Sequence, residues 1–416
     1  MDKLLITGQK QLNGKVTISK SKNAYLPILT GVLLNPEPVH FLNIPKLKDM
    51  DTTCKLLSKL GVKIAVEGNR TSLCAGDITS CEATYDLVKT MRASILVLGP
   101  LLTRFHRAKV SLPGGCAIGA RPIDIHLSNL EKLGAKIVLH AGYVEAFTEG
   151  LIGTKLVLSF PSVGATENLM MAAVLAKGET VIENAAMEPE IDDLANFLNS
   201  MGAKVSGIGS NILHIEGVKS LHETTYEAIG DRIEAATYLI AGLITGGKVT
   251  VLGVNPDHLD SVLAVLKDMG TNVEVTNDSI TVSAKNLKSA KVETSPFPGF
   301  PTDIQAQLVA LVTQASGTSI ITENIFENRF MHVSELLRLG AKIELKGNSA
   351  IIEGVSALQG APVMCTDLRA SAALIIAALA AKGESEIHRI YHLDRGYENL
   401  EAKLSALGAQ VQRVRE

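Results

Sequence analysis

The chain contains no tryptophan, and aromatic residues make up only 4% of its 416 positions. Its cores must be aliphatic, which suits tightly packed layers of helix on sheet. Cysteine is scarce as well. Cys54, Cys74, Cys81, Cys116 and Cys365 are odd in number and show no CxxC spacing. That argues against a disulfide framework and against a zinc site. Neither sign of charge dominates, since 40 basic and 43 acidic residues leave a formal charge of −3. No global field draws the protein to nucleic acid or to an anionic membrane. The longest apolar stretch, around residues 372–381, falls far short of a membrane span. The first seven residues are too short and too acidic for a signal peptide. A soluble cytoplasmic protein is expected, in which local basic residues hold any anionic ligand.

What the chain does have is a repeat. A helical stretch ends six times in a large apolar residue followed by glycine: Leu60-Gly61, Leu133-Gly134, Met201-Gly202, Met269-Gly270, Leu339-Gly340 and Leu407-Gly408. The glycines recur at intervals of roughly 70 residues, the mark of a repeat architecture. Each closes an amphipathic pattern, as in Leu400, Leu404 and Leu407. Glycine supplies the left-handed cap that such helix ends need. Strict alternation follows, as in Lys342-Ile343-Glu344-Leu345-Lys346, and Gly347-Asn348 then turns the chain into a second strand. A second helix opens each unit and is apolar nearly all round, as in residues 372–380 and 168–175. It should be buried. Each unit therefore reads as buried helix, strand, outer helix and hairpin. The last copy is short after Gly408, and residues 1–21 supply the missing strands. Three units per domain predict one domain at 22–229 and a discontinuous one at 1–21 plus 230–416. The chain crosses between them twice, so a hinge and a cleft are expected.

Charged residues gather where the buried helices begin. The six starts carry Lys22, Arg92, Glu167, Arg232 with Glu234, Asp303, and Asp367 with Arg369. N-capping accounts for Asp367, Thr166 and Thr302. It does not account for Lys22, Arg92, Arg232 and Arg369, because a cation is disfavoured at the positive end of a helix dipole. An anion at the same end resolves the conflict, and helix N-termini bind anions readily. Cys116 stands apart. It lies in Pro113-Gly114-Gly115-Cys116-Ala117-Ile118-Gly119-Ala120-Arg121-Pro122, a glycine-rich loop rather than an apolar run. Backbone N–H groups and Arg121 favour thiolate or acid–base chemistry there.

Lys22-Asn23, the residues 113–122 loop, Ser162-Val163-Gly164-Ala165-Thr166-Glu167-Asn168, Phe300-Pro301-Thr302-Asp303-Ile304-Gln305-Ala306-Gln307, Phe326-Glu327-Asn328-Arg329-Phe330 and Asp394-Arg395-Gly396-Tyr397 together resemble the UDP-N-acetylglucosamine 1-carboxyvinyltransferase family of enolpyruvyltransferases. The resemblance implies an α/β fold: a two-domain inside-out α/β barrel, three repeats per domain, with buried helices surrounded by sheets and the active site in the interdomain cleft. It implies transfer of enolpyruvyl from phosphoenolpyruvate to the 3-hydroxyl of UDP-N-acetylglucosamine, with release of phosphate, at the first committed step of peptidoglycan synthesis. Cell-wall biogenesis, cell shape and cell division would depend on that step.

Carried over by position, Cys116 is the thiol that protonates phosphoenolpyruvate or adds to it, and the target of the epoxide fosfomycin. Asp303 is the base at the sugar hydroxyl. Lys22, Arg121 and Arg395 clamp phosphoenolpyruvate, with Arg92 beside them. Arg121, Pro122, Ile123, Asp124 and Ile125, then Ser162, Val163 and Gly164, face the nucleotide, with Asn23 and Ile325 at the sugar and Arg92 and Asp303 also on that substrate. Arg329 and Arg369 are supporting groups, paired with acids such as Glu327 or Asp367. Some relatives have Lys where this chain has Phe160, so the contact at that point is not a charge. His126 and His392 read as structural neighbours. The resemblance implies no metal and no organic cofactor; the charge balance and short apolar runs predict no nucleic-acid or membrane partner, and a monomer is expected although the sequence does not fix the oligomeric state. Two alternatives remain: a shikimate-type enolpyruvyltransferase, which does not need the thiol loop, and a non-catalytic protein that binds a UDP-sugar.

Overall fold

A computed structural model describes residues 2–89, 91–112 and 123–415. The described chain forms two compact units, residues 20–229 and residues 2–19 with 230–415. The expected break after residue 21 moves to residue 19, and bonding explains why. Lys20 pairs with Glu227 at 3.0 Å. Ser21 N–H donates to the Ile229 carbonyl at 2.8 Å, and its hydroxyl caps the following helix by accepting from Ala24 N–H at 3.3 Å. Both residues therefore belong to the unit that they open.

In the 20–229 unit three helices lie inside: Lys22–Gly31, Leu98–Phe105 and Val163–Ala173. Nearly every residue of each is buried, as their all-round apolar sequences require. Three four-stranded sheets cover them. Within each repeat the buried helix leads to a central strand, an outer helix and a hairpin. A short edge strand then crosses to the neighbouring sheet and pairs in parallel with its central strand. The repeat is thus one strand longer than the helix–strand–helix–hairpin reading. The crossing strand of the third repeat, Thr224–Tyr226, pairs with Pro38–Leu42 of the first and closes the ring.

The other unit follows the same plan around helices Arg232–Ile244, Thr302–Val312 and Leu368–Ala380. The N-terminus completes its last sheet. Strand Asp2–Thr7 lies between Glu384–His388 and Gln410–Arg415 and is antiparallel to both. Leu4 and Ile6 are fully buried there. Asn13–Thr17 then serves as the crossing strand, parallel to Lys248–Leu252. Among the described residues no helix is long and apolar enough to cross a membrane.

The six repeat-marking glycines all adopt positive φ, from 86° at Gly340 to 111° at Gly61. They act as the left-handed caps that the pattern requires. Gly354 has a different cause, one invisible in the repeat phrase. It ends a hairpin strand where the chain presses on the end of a buried helix. A Cβ at this position would stand 1.6 Å from the Ala315 carbonyl oxygen, and Gly217 repeats the relation against Ala176 at 1.6 Å. Gly354→Ala is expected to destabilise its unit by about 3 kcal/mol through this overpacking, read as a lower urea midpoint with an unchanged slope.

Candidate active site

In the 20–229 unit the expected site residues fall at helix starts. Lys22 begins Lys22–Gly31 directly after its Ser21 cap. Its ammonium stands 3.4 Å from the Asp49 carboxylate, and both side chains are nearly buried. Part of the anion called for at this helix end is therefore the protein's own Asp49. Asn23 follows on the same turn. Arg92 opens the short helix Arg92–Val97; for this residue only the backbone is described. Cys116, Arg121 and Pro122 lie outside the described residues.

The two expected nucleotide segments of this unit meet. Asp124 and Ile125 begin helix Asp124–Lys132, with Ile123 as its cap residue. Ser162 caps Val163–Ala173 by accepting from Ala165 N–H at 3.3 Å. His126 and Asn168 join the two helices: the Asn168 amide donates to His126 Nδ1 at 3.1 Å. The Asn168 oxygen accepts from Gly99 N–H at 2.7 Å. Gly164 lies against the His126 ring, where a Cβ would sit 3.5 Å from Cε1. Burial, opposed in part by Asp124, pushes the His126 pKa down to about 4, so this imidazole is neutral scaffolding. Phe160 is exposed beside these segments. Thr166 is not a cap; its hydroxyl donates to the Ser162 carbonyl at 2.9 Å.

In the other unit the centre is Asp303. Arg329 Nη2 donates to its Oδ1 at 2.8 Å, and Arg369 Nη2 donates to its Oδ2 at 2.6 Å. Both arginine side chains are buried, while the carboxylate retains 27% exposure. The expectation that these arginines pair with Glu327 or Asp367 is corrected: they share Asp303. Asp367 is occupied as the cap of Leu368–Ala380, accepting from Arg369 and Ala370 N–H at 2.9 and 3.0 Å. Burial works against the charge on Arg369. Asp303, Tyr397 and Asp231 outweigh it and hold the guanidinium more firmly protonated than usual.

Thr302 is not a cap either, since Pro301 takes that position. Its hydroxyl donates instead to Glu323 at 2.8 Å. Glu323 is buried, and its other oxygen gathers the N–H groups of Ile325 and Phe326 at 2.8 and 3.1 Å. Ile325 is thereby tied to the turn that carries Asp303. Glu323 was missed from sequence, because a lone glutamate at a strand end gives no signal of the loop it gathers. Arg395 ends the short helix Ile390–Arg395. Two residues on, Tyr397 is buried. His332 is buried beside the Arg329 backbone, and among the described residues neither ring nitrogen makes a hydrogen bond of good geometry. Burial lowers its pKa to about 4. His392, half-buried, is also shifted down, by burial first and then by Arg395. Two surface grooves, of about 490 and 600 Å³, lie elsewhere in this unit, around Met364 and around Lys248.

Buried helices wrapped by four-stranded sheets, in two units of one plan, are an architecture shared with solved enolpyruvyl transferases. A solved structure of the enolpyruvyl transferase NikO from Streptomyces tendae superposes with a TM-score of 0.89 at 25% identity, covering 99% of both chains. A structure of the EPSP synthase from Acinetobacter baumannii shares the fold, with a TM-score of 0.77 at 18% identity over all of both chains. The model of the family described as EPSP synthase (3-phosphoshikimate 1-carboxyvinyltransferase) matches residues 6–404, and the chain belongs to this family. Among its relatives are the UDP-N-acetylglucosamine 1-carboxyvinyltransferases of Trichlorobacter lovleyi, 56% identical, and Geotalea daltonii, 54% identical, each aligned over all of both chains.

Asp303→Asn leaves two buried guanidinium groups without their counter-charge. It is expected to cost about 3 kcal/mol of stability, measurable by denaturant unfolding. His332 contributes a pH dependence of opposite origin. It is neutral when folded down to about pH 4, whereas an unfolded histidine charges near 6.5. Its share of stability is complete above pH 6.5 and is lost as pH falls toward 4. His332→Leu should flatten this part of the acid-unfolding curve, followed by circular dichroism.

Proposed function

We propose that this chain transfers the enolpyruvyl group of phosphoenolpyruvate to the 3-hydroxyl of UDP-N-acetylglucosamine and releases phosphate. The observation that carries this reading is end-to-end identity of 52–56% with relatives named for that reaction.

The chemistry assigns a task to each group. Cys116 gives a proton to the methylene carbon of phosphoenolpyruvate, and the neighbouring carbon becomes cationic in character; in the covalent variant the sulfur adds to that carbon as the methylene takes the proton, and the C–S bond breaks again before the sugar oxygen bonds there. Asp303 accepts the proton of the sugar 3-hydroxyl as the oxygen bonds to that carbon. The tetrahedral adduct then loses phosphate from this carbon and a proton from the methyl group, which restores the double bond. Lys22, Arg92, Arg121 and Arg395 hold the phosphate and carboxylate and stabilise the charge that develops on them. No step requires a metal or an organic cofactor. Arg329 and Arg369 each occupy one lone pair on an Asp303 oxygen and aim the carboxylate. The carboxylate retains 27% exposure, through which a hydroxyl is proposed to approach. Helix N-termini and buried arginines gather here, and both suit a phosphorylated acid.

Asn23 and Ile325 are assigned to the sugar, and the Ile123–Ile125 and Ser162–Gly164 segments to the nucleotide. Fosfomycin is expected at Cys116, and the reaction places the protein in the cytoplasm at the start of peptidoglycan synthesis. A shikimate-type acceptor is the alternative that the family description raises. The structures with that name are only 18% identical to this chain, which speaks for the fold and not for the acceptor.

Phosphate release should require both phosphoenolpyruvate and UDP-N-acetylglucosamine. Release with shikimate 3-phosphate in place of the sugar nucleotide overturns the acceptor, and binding of the sugar nucleotide without turnover overturns the reaction. In the same assay Cys116→Ser should escape inactivation by fosfomycin, and Cys116→Asp should retain part of the activity, because a carboxyl group also donates a proton.

A further inference from the structure

Behind Asp303 lies a second, wholly buried layer of polar groups that none of the assigned roles uses. Gln307 sits one turn after Asp303 on the same helix, and its amide nitrogen donates back to the Asp303 carbonyl at 3.0 Å. The same nitrogen lies 3.3 Å from Thr237 Oγ1 and 3.4 Å from the Tyr397 hydroxyl. Thr237 and Tyr397 are themselves 2.9 Å apart. The three side chains are at most 3% exposed. They come from three different elements: helix Arg232–Ile244, helix Thr302–Val312 and the turn that follows Arg395.

Proton counting orients the cluster. Thr237 has one hydroxyl proton, and it goes to the Ile233 carbonyl at 2.8 Å. Tyr397 is therefore the donor in its bond to Thr237. Its oxygen lone pairs are left for Gln307 and for Arg369, whose charge acts directly on the phenol. Arg369 in turn holds Asp303 Oδ2. Gln307, which bonds the Asp303 backbone carbonyl, thus lies against this hydroxyl, and Arg369, which holds the Asp303 carboxylate, acts on it through its charge. Tyr397 also stands two residues from Arg395. The turn around Arg395 is held from its other side, where Asp394 takes Arg413 at 2.7 Å.

We propose that Tyr397 is a positioning residue for the transfer, coupling the placement of the Asp303 carboxylate to that of Arg395. It touches neither substrate. The inference rests on the carboxyvinyl-transfer reading and adds to it the element that keeps the base and one phosphoenolpyruvate-binding cation in register. A displacement of about 1 Å at such a group is enough to cost one to two orders of magnitude in rate.

The test is Tyr397→Phe, which removes one oxygen and little volume. Phosphate release is measured with both substrates varied, on protein whose folded fraction is established by thermal unfolding. The expected result is a kcat lowered about tenfold with KM for both substrates within about twofold of the parent. Thr237→Val removes the acceptor of the Tyr397 proton, and a smaller loss in the same direction is expected; it decides the question if Tyr397→Phe does not fold. Tyr238→Phe is the control. Tyr238 is the next residue after Thr237, fully buried, with a hydroxyl that has no hydrogen-bond partner among the described residues. The same change of one oxygen there should leave kcat unaltered. Parental kcat in both Tyr397→Phe and Thr237→Val, a loss confined to KM, or an equal loss in Tyr238→Phe overturns the proposal. A parent protein that releases no phosphate overturns the underlying reading instead.

Discussion

Six helices without a polar face constrain everything else in this chain. Leu368–Ala380 shows the case plainly, with every residue after Leu368 buried. A helix of this kind is stable only if it is covered on all sides, and three sheets per unit provide the cover. Polar groups are then excluded from the flanks and displaced to the helix ends. In the unit formed by residues 2–19 and 230–415 these ends meet around Asp303. Two buried guanidinium groups share that carboxylate. Such an arrangement adds little net stability, because desolvation offsets most of the attraction, but removing one member is costly.

The same constraint shapes the chemistry. Positive helix ends and the buried Arg329 and Arg369 face Asp303 at the site, and on the proposed reading an anionic substrate joins them. The 20–229 unit solves the matching problem differently, setting Asp49 against Lys22 and using His126 and Asn168 as neutral struts. Fold alone does not select the acceptor, since proteins only 18% identical share this architecture. The proposed function assigns that selection to short segments at helix starts, such as Ser162 to Gly164, and to positions like Phe160, where an apolar ring stands exposed.

Much of this was legible in the residues. The repeat phrase marked six helix ends, and all six glycines have the left-handed backbone that the phrase requires. Alternation marked the hairpins, and the shortness of the last copy pointed to strands from the N-terminus. Asp2–Thr7 fills that gap. The crossing strands were harder to see. Glu82–Ala83 is two residues long, too short to carry a period. Helix caps were misread at Thr166 and Thr302, because a threonine near a helix start can bond backward or sideways as readily as it can cap.

Sequence by itself determined the repeat, the helix ends, the apolar cores and the kinds of charged residue that gather at the helix starts. These follow from local stereochemistry and from the period of burial along the chain. Only the tertiary structure decided which charges meet. Arg369 has Asp367 two positions away, yet its guanidinium reaches Asp303, 66 positions away. Asp367 was already committed to backbone N–H groups, and the packing of two buried helices brought the other carboxylate within 2.6 Å. Short-range periodicity is written into neighbouring residues, whereas partnership among buried charges depends on distances that exist only after the helices have packed.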